Sequence, residues 1–286
     1  MPTTVTKTIG PGKDYATFSL AEADVVNIAT TAFGSSDLVA NDGAIIFEAD
    51  AGFYEEYIPI QSSLTTDATR NVTYKPATGA NHEGDLSEGV VITGHGSSNS
   101  ILVRDKYTVF DGINFTNNAN IREEGCVLKN ASIYAPEQFQ PLSITGGSSS
   151  EDTILITNCW ILGSRRVAFI SNGTENLVFR NCTILSTREA VYIGGSTMNI
   201  KFYNCFAPIN LITDAGSTGT LDGSGNVISQ FSFGSMSMPD YIGFYANGNT
   251  PWDPTINKDA SSTGDTVVFD PYTGKLYDVS GNDAWQ

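Results

Sequence analysis

The sequence predicts an all-β fold, a right-handed parallel β-helix whose coils take about 23 residues each. Three segments align without a gap, and each contains an Asn-Cys pair, whose asparagines recur at this one constant interval: Asn158, Asn181 and Asn204. Apolar residues stand four and two positions before each of these asparagines, and one and three positions after it. The alternation of a β-strand is therefore broken once per coil, at the Asn, and we predict a bend there.

The asparagines at the bend are predicted to form a ladder along the solenoid. Asn adopts the left-handed backbone conformation more readily than most residues, and its amide can hydrogen-bond to the equivalent amide one coil away. Gly112 and Asn130 fit the same frame, and the unequal intervals on either side of Asn130 indicate a shorter and a longer loop. The cysteines that follow the asparagines share one inward position and are predicted to be buried thiols: Cys159, Cys182 and Cys205.

Both ends of the chain depart from this repeat. Near the N-terminus, a stripe of apolar residues at helical spacing predicts an amphipathic helix that caps the first coil. After residue 215 the register fades into Gly- and Ser-rich sequence, in which 267–269 and 275–277 flank a turn and predict a β-hairpin. The residues of the helical stripe are Phe18, Ala21, Val25 and Ile28.

These features divide one continuous domain into three parts. We expect an N-terminal segment with the capping helix over 1–35, the β-helix over 36–214, and a C-terminal cap or arm over 215–286. Each coil buries little surface alone, so we expect stability to come from the stacking of neighbouring coils.

The composition limits the partners that the chain can bind. Of 286 residues, 40% are hydrophobic, which is enough for one continuous core. The formal net charge of −16 would repel a phosphate backbone or an anionic membrane surface, so we expect no nucleic-acid binding. Since we find neither an apolar signal segment near the start nor a stretch long enough to span a membrane, we expect synthesis in the cytoplasm and no membrane insertion.

Five motifs carry a resemblance to a known superfamily. They are the segment KDYATF at 13–18, the segments GAIIF at 43–47 and GFYEEYI at 52–58, the segment YTVFDGI at 107–113, and the Asn-Cys coils. Over residues 8 to 210 the chain thus resembles the pectin lyase-like superfamily of right-handed β-helices. Its members include pectate lyases, pectin methylesterases, polygalacturonases and bacteriophage tail spikes, so the resemblance implies the fold and leaves the activity to the site.

No complete catalytic set follows from the motifs. Of the motifs that polygalacturonase-like hydrolases carry, only a Gly-His-Gly occurs, at 94–96, and we interpret it as a turn between strands. Lyase chemistry would need acidic residues that hold calcium and an Arg or Lys base, for which Asp105, Asp111 and Arg104 are the candidates. We favour a structural role for them, because Asp beside Gly is a usual turn partner and outer-face charges are usually solvated. Since His82 has no neighbouring cysteine or histidine, we predict no zinc, no other metal and no cofactor.

Aromatic residues are predicted to point outward from consecutive coils. Rings on an outer face can stack on sugars or form a subunit interface, and we favour the interface because phage spikes of this superfamily are trimers. Arg166 and Glu189 stand one period apart, which predicts an ion pair between coils. The aromatic residues are Trp160, Phe169, Tyr192 and Phe206.

We therefore expect a non-catalytic structural protein of a bacteriophage virion, either a capsid decoration (cement) protein or a short tail spike. It would present a rigid homotrimeric β-helix on the particle surface and contact other capsid or tail proteins. Two alternatives stay open: a polysaccharide lyase or glycoside hydrolase that acts on an acidic polysaccharide, and a module that binds cell-surface polysaccharide without cleaving it.

Overall fold

The computed structural model describes the backbone over most of the chain up to residue 222 and over short strands beyond it. Side chains are described for 1–82, 88–94, 99–135, 140–145, 152–162 and 176–184, and for residues 200, 201, 203 and 205. The backbone alone is described for 163, 166–171, 185–186, 189–194, 199, 202, 207–208, 212–214, 221–222, 230–233, 236–242, 245–246, 250–251, 268–270 and 275–277.

The chain winds into a right-handed parallel β-helix, in which successive coils add a strand to each of three parallel sheets. The nine-stranded sheet contains Thr3–Ile9, Gly43–Ala49, Val72–Pro76, Val109–Asp111, Val127–Lys129, Thr153–Thr157, Asn176–Arg180, Asn199–Tyr203 and Leu221–Asp222. The six-stranded sheet contains Gly52–Glu55, Val90–Thr93, Ile113–Thr116, Ser132–Ala135, Trp160–Gly163 and Thr183–Ser186. The seven-stranded sheet contains Ile58–Ile60, Ile101–Val103, Ala119–Ile121, Leu142–Ile144, Arg166–Ser171, Glu189–Gly194 and Ile212–Asp214.

The strand register has the predicted period. Leu177 pairs with Ile154 on one side and with Ile200 on the other, which is one predicted period in each direction. Leu128 pairs with Phe110 and with Ile156, which gives the shorter and the longer interval expected around Asn130. The parallel β-helix predicted from the repeat is therefore confirmed.

The bend between the nine-stranded and the six-stranded sheet is a left-handed corner. In four successive coils the corner residue has a positive φ: 74° at Gly112, 53° at Asn130, 53° at Asn158 and 51° at Asn181. This conformation lets the chain turn within one residue, so the flanking side chains on both strands point into the core. We call this turn the asparagine corner.

The core consists of inward side chains stacked on their counterparts in adjacent coils. Phe47, Tyr74 and Phe110 form one such column, with ring centroids 5.1 Å apart at each step and interplanar angles of 13° and 15°. Fully buried Phe115 meets Phe110 edge to face at 5.5 Å. Offset and edge-to-face ring pairs each contribute about 0.5–1.5 kcal/mol beyond the burial of area, so the aromatic column holds the early coils together.

The stack is longer than the predicted 36–214. Thr3–Ile9 pairs in parallel with Gly43–Ala49 and is the first strand of the nine-stranded sheet, and Leu221–Asp222 pairs with its neighbour past residue 214. The first strand escaped prediction because only Ile9 is buried in it, so the strand lacks the apolar alternation that marks the others. An edge strand of this kind is recognised by its pairing rather than by its sequence.

The predicted capping helix is present as Phe18–Phe33. Thr17 caps its N-terminus by accepting a hydrogen bond from Leu20 N, and Gly34 ends it in the left-handed conformation. The carboxylate of Glu56 accepts hydrogen bonds from Phe18 N and Ser19 N, both at 2.9 Å, and lies at the positive end of the helix dipole. The apolar stripe of the helix is buried in the common core, which closes the end of the first coil.

The helix also buries the carboxylate of Glu22, which its pattern of apolar residues does not predict. Glu22 accepts hydrogen bonds from Tyr74 Oη at 2.5 Å and from Gln61 N at 3.0 Å. Burial raises the pKa of Glu22 to about 7, against the lowering effect of these two bonds. The same burial raises the pKa of Tyr74 well above its ordinary value. The helix is therefore tied to the core by a polar contact as well as by apolar packing.

The strands after residue 222 pair in the antiparallel sense. Val268–Asp270 pairs with Lys275–Tyr277, in agreement with the predicted hairpin. Met236–Ile242 pairs with Ala207–Pro208 and with Gln230–Phe233. Tyr245–Ala246 pairs with Thr250–Pro251. In the part of the chain that the structure describes, no helix is long and apolar enough to cross a membrane.

Substitution of a corner asparagine should separate its two roles. Asn181→Gly keeps the positive φ but removes the amide, which should lower the free energy of unfolding by about 1 kcal/mol. Asn181→Ala should lose a further 1–2 kcal/mol or so, because a Cβ disfavours the left-handed conformation. Urea denaturation followed by circular dichroism measures both losses, and equal losses for the two variants would contradict the conformational role.

The buried Glu22 carboxylate should make stability depend on pH. Its pKa of about 7 in the folded state exceeds the ordinary value of 4.5, so between these values the unfolded chain releases a proton that the folded chain keeps. The unfolding free energy should thus fall as pH rises through this window, by about 3 kcal/mol in total. Glu22→Gln should remove this fall.

The measurement is urea denaturation at about pH 5 and about pH 8, the two sides of the window. Glu48→Gln serves as the control, because Glu48 is partly exposed on the outer face, and it should retain the pH dependence of the unmodified chain. If Glu22→Gln and Glu48→Gln showed the same dependence, another group would be responsible.

Candidate functional site

A ladder of hydrogen bonds runs along the asparagine corner. Asn181 Nδ2 donates to Asn158 Oδ1 at 3.0 Å, and Asn158 Nδ2 donates to Asn130 Oδ1 at 3.1 Å. Asn130 Nδ2 donates in turn to Asp111 Oδ1 at 2.7 Å, so an acidic residue ends the ladder. Asn204, the next predicted rung, lies outside the described residues. The corner therefore presents a row of amides that ends in a carboxylate.

The longer connection between Pro76 and Val90 replaces the tight corner in one coil, and its described parts are 77–82 and 88–89. His82 Nε2 donates to the carbonyl oxygen of Asn130 at 2.7 Å, two coils further along the stack. At Gly89, with φ of 73°, a Cβ would lie only 2.6 Å from His82 N, so glycine is required for the two parts of the connection to meet. His82, in the described part of the connection, thus contacts the asparagine corner.

A cleft of about 480 Å³ opens between this connection and the corner. Ser132 and Trp160 both line it, and Ser132 is buried while Trp160 is half-buried. Both start strands of the six-stranded sheet and are paired in register, so they belong to one outward row of that sheet. We call it the corner cleft, and its lining residues are Lys75, Pro76, Asn81, His82, Asp111, Gly112, Asn130, Ala131, Ser132, Asn158 and Trp160.

The charges in and beside the corner cleft are balanced. Lys129 Nζ lies 3.0 Å from Asp111 Oδ2, whose other oxygen accepts the bond from Asn130. Lys75 Nζ lies 3.0 Å from Glu48 Oε1. Each cation is paired with a carboxylate on an adjacent strand, so the cleft combines neutral amides with compensated ion pairs.

Asp105 and Arg104 lie far from Asp111 in the cross-section, at the turn that leads from the seven-stranded back to the nine-stranded sheet. Asp105 accepts hydrogen bonds from Ser62 N at 2.5 Å and from Ser62 Oγ, and Arg104 Nη1 donates to Gln61 Oε1 at 3.2 Å. Both contacts join adjacent coils. The three candidate residues for lyase chemistry are therefore not brought together.

The same turn contains an acidic cluster. Lys106 Nζ pairs with Glu124 Oε1, and the Glu124 side chain is only 2% exposed. The hydrogen bond to Asp152, at 2.5 Å, together with burial raises the pKa of Tyr107 to about 12. Burial also raises the pKa of Glu123. Among the described residues, no group of three or more His, Cys, Asp or Glu is arranged to hold a metal ion.

The predicted outward aromatic residues lie on two different sheets. Phe169 and Tyr192 are register partners on the seven-stranded sheet, whereas Trp160 starts a strand of the six-stranded sheet and pairs with Thr183. They therefore do not form one continuous row, because Trp160 and Phe169 are nine residues apart, which is not a whole period of the repeat. Phe206 lies outside the described residues.

Arg166 and Glu189 are register partners on the seven-stranded sheet, as their spacing predicts. Their side chains are not among those described, so the ion pair stays a prediction. Of the Gly-His-Gly at 94–96, the histidine and the second glycine also lie outside the described residues.

The inward cysteines are buried and form no disulfide: Cys126, Cys159, Cys182 and Cys205. Burial raises the pKa of Cys126 to about 12, and it also raises the pKa of Cys159 and Cys205. Cys159 Sγ donates to Thr157 O at 3.2 Å, and Cys182 Sγ donates to Arg180 O at 3.3 Å. At Cys182 burial would raise the pKa, but hydrogen bonds with the Cys159 and Cys205 thiols lower it. A thiol that stays protonated is a poor nucleophile, so Cys126, Cys159 and Cys205 pack as small apolar groups.

Sequence reasoning found several residues of the corner cleft but not the cleft itself. It identified Asp111, Gly112, Asn130, Asn158 and Trp160 for separate reasons, and it treated His82 only as a lone histidine. The long stretch of chain between Pro76 and Val90 was the available signal, since the corner takes a single residue in later coils. An insertion at a known corner of a solenoid indicates a loop that can build a site there.

Comparisons with known proteins concern the fold. A scan against protein-family models gave no match, and neither did a search of curated proteins. A search of solved structures found similarity to the pectin methylesterase from Aspergillus niger, crystallised in a penultimately deglycosylated form. The sequence identity is 17% and the TM-score is 0.45, over 75% of this chain and 68% of that chain. The enzyme is a right-handed β-helix of the pectin lyase-like type, and a likeness of this degree carries no statement about activity.

Proposed function

We propose that this chain is a non-catalytic structural protein, whose β-helix serves as a stiff rod at the surface of a bacteriophage particle, as a capsid decoration protein or a short spike. The observation that carries the proposal is that the candidate catalytic side chains form structural contacts between coils. Asp105, Arg104 and Asp111 each bond to an adjacent coil, and they lie at two different corners of the cross-section. Catalytic groups have to converge on one bond of the substrate, and these three do not.

The corner cleft supports the same conclusion. Glycoside hydrolysis uses two carboxyl groups that flank the scissile bond. Among the described residues that line the cleft, Asp111 is the only acid, and both of its oxygens are bonded to neighbouring side chains. A carboxylate held in this way stabilises the corner, and the described lining offers no second acid to flank a scissile bond.

The phage setting of the proposal rests on the resemblance described above and on the physical character of the rod. A parallel stack with buried aromatic columns is rigid, and a net charge of −16 favours solubility over non-specific binding. We propose further that three copies associate side by side and contact other capsid or tail proteins. Phe169 and Tyr192, adjacent in register on the seven-stranded sheet, would belong to the contact.

The non-catalytic role predicts that no polysaccharide is degraded. The purified chain should release neither reducing ends nor unsaturated products from pectin, polygalacturonate or capsular polysaccharides of bacteria. Both are measured in solution, by a reducing-sugar assay and by ultraviolet absorbance, with an active pectate lyase as positive control. Product above background, lost in Asp111→Asn or Asp105→Asn, would replace the proposal by an enzymatic function.

The trimeric arrangement predicts a molar mass of three chains by size-exclusion chromatography with light scattering. Phe169→Ser combined with Tyr192→Ser should shift the protein towards monomer, because the contact would lose its aromatic area. Tyr134→Ser is the matched control, since Tyr134 is 43% exposed on the six-stranded sheet, and it should leave the mass unchanged. A monomer at high protein concentration for the unmodified chain would contradict the trimer.

A further inference from the structure

We propose that the corner cleft binds a short, uncharged oligosaccharide. The proposal concerns a binding site and does not depend on the structural role given above. Three features of the cleft carry it: the position of Trp160, the unused hydrogen-bonding capacity of the amide ladder, and the pairing of every described lysine near the cleft.

Trp160 supplies an aromatic surface for a sugar ring. It is half-buried and lines the cleft together with His82. The faces of a pyranose ring present C–H groups, and these pack well against the electron-rich face of an indole. The volume of about 480 Å³ lies within the usual range of small-ligand pockets, and the open side allows a chain to continue beyond the bound rings.

The amide ladder supplies paired donors and acceptors. A primary amide has two N–H groups and a carbonyl oxygen with two lone pairs. The ladder uses one N–H and one lone pair of Asn130, and it uses the same from Asn158. Each of these residues therefore retains one donor and one acceptor, repeated at the spacing of the coils, about 4.8 Å. Sugar hydroxyls donate and accept at the same time, and they match such a row.

The charges favour an uncharged ligand. Lys75 and Lys129 are neutralised by Glu48 and Asp111, each at 3.0 Å, so they do not offer an unpaired cation to a sugar carboxylate or sulfate. The net charge of −16 adds a long-range repulsion of anions. An acidic polysaccharide would lose its hydration without gaining a compensating ion pair.

The test is a binding measurement with defined probes. Short oligosaccharides of glucose, mannose, galactose and N-acetylglucosamine are immobilised on an array beside oligogalacturonate and sulfated oligosaccharides, and the full chain is applied. The uncharged probe that binds best is then titrated by calorimetry. Its affinity should change by less than about twofold between low and high salt, because no ion pair forms with the ligand.

Substitutions place the binding in the cleft. Trp160→Ala should weaken the affinity by about tenfold or more, which corresponds to about 1.4 kcal/mol, and Trp160→Phe should give an intermediate value. Tyr134→Ala is the matched control, because this exposed ring lies outside the cleft, and it should bind like the unmodified chain. Asn81→Trp fills the cleft from an exposed position and should abolish binding without disturbing the core.

Three results would overturn the proposal: no uncharged probe is bound, Asn81→Trp binds as well as the unmodified chain, or the acidic probes bind best with a strong salt dependence. Thermal denaturation of each variant shows whether it is folded. If Trp160→Ala does not fold, the binding measured for Asn81→Trp decides whether the ligand occupies the cleft. Cleavage of a bound probe would refute the non-catalytic role proposed above while leaving the binding site intact, so the two proposals fail separately.

Discussion

The parallel pairing of strands in a fixed register is the constraint on which the other features of this molecule depend. Because each backbone hydrogen-bonds to the equivalent backbone one coil away, every side chain lies on its own counterpart. Phe47, Tyr74 and Phe110 stack in the core for this reason, and Asn130 and Asn158 meet at the corner for the same reason. A favourable contact is therefore repeated along the rod, and so is an unfavourable one.

The polar corner shows how this repetition can be stabilising. The left-handed backbone conformation is unfavourable for most residues, but Asn tolerates it, and the amide of Asn both donates and accepts hydrogen bonds. The ladder therefore offsets the cost of the bend with bonds between coils, and Asp111 ends it with an ion pair to Lys129. Where the connection after Pro76 is longer, the corner changes from a purely structural element into one wall of a cleft.

The repeat made the fold predictable from sequence, whereas the site was only partly so. The interval between Asn158 and Asn181 set the coil length, and the helical stripe from Phe18 onward marked the cap. Thr3–Ile9 was missed because an edge strand with one buried residue has no hydrophobic alternation. The contact of His82 with Asn130 depends on a loop path that no periodicity encodes. Glu22 was missed for a related reason, since only the three-dimensional position of Tyr74 explains a carboxylate on the buried face of a helix.

The helix Phe18–Phe33 has a consequence for self-association of the rod. At each end of a parallel stack, an apolar cross-section and unpaired strand edges are exposed. A second copy could pack on this cross-section or pair with these edges, as chains do in a cross-β fibril. At the N-terminal end the helix covers the cross-section, and the edge strand Thr3–Ile9 carries Lys7, whose charge disfavours further pairing. A chain without the helix and the edge strand would expose the aromatic column that begins at Phe47. A second molecule could then add at that end, and rods longer than one molecule would form.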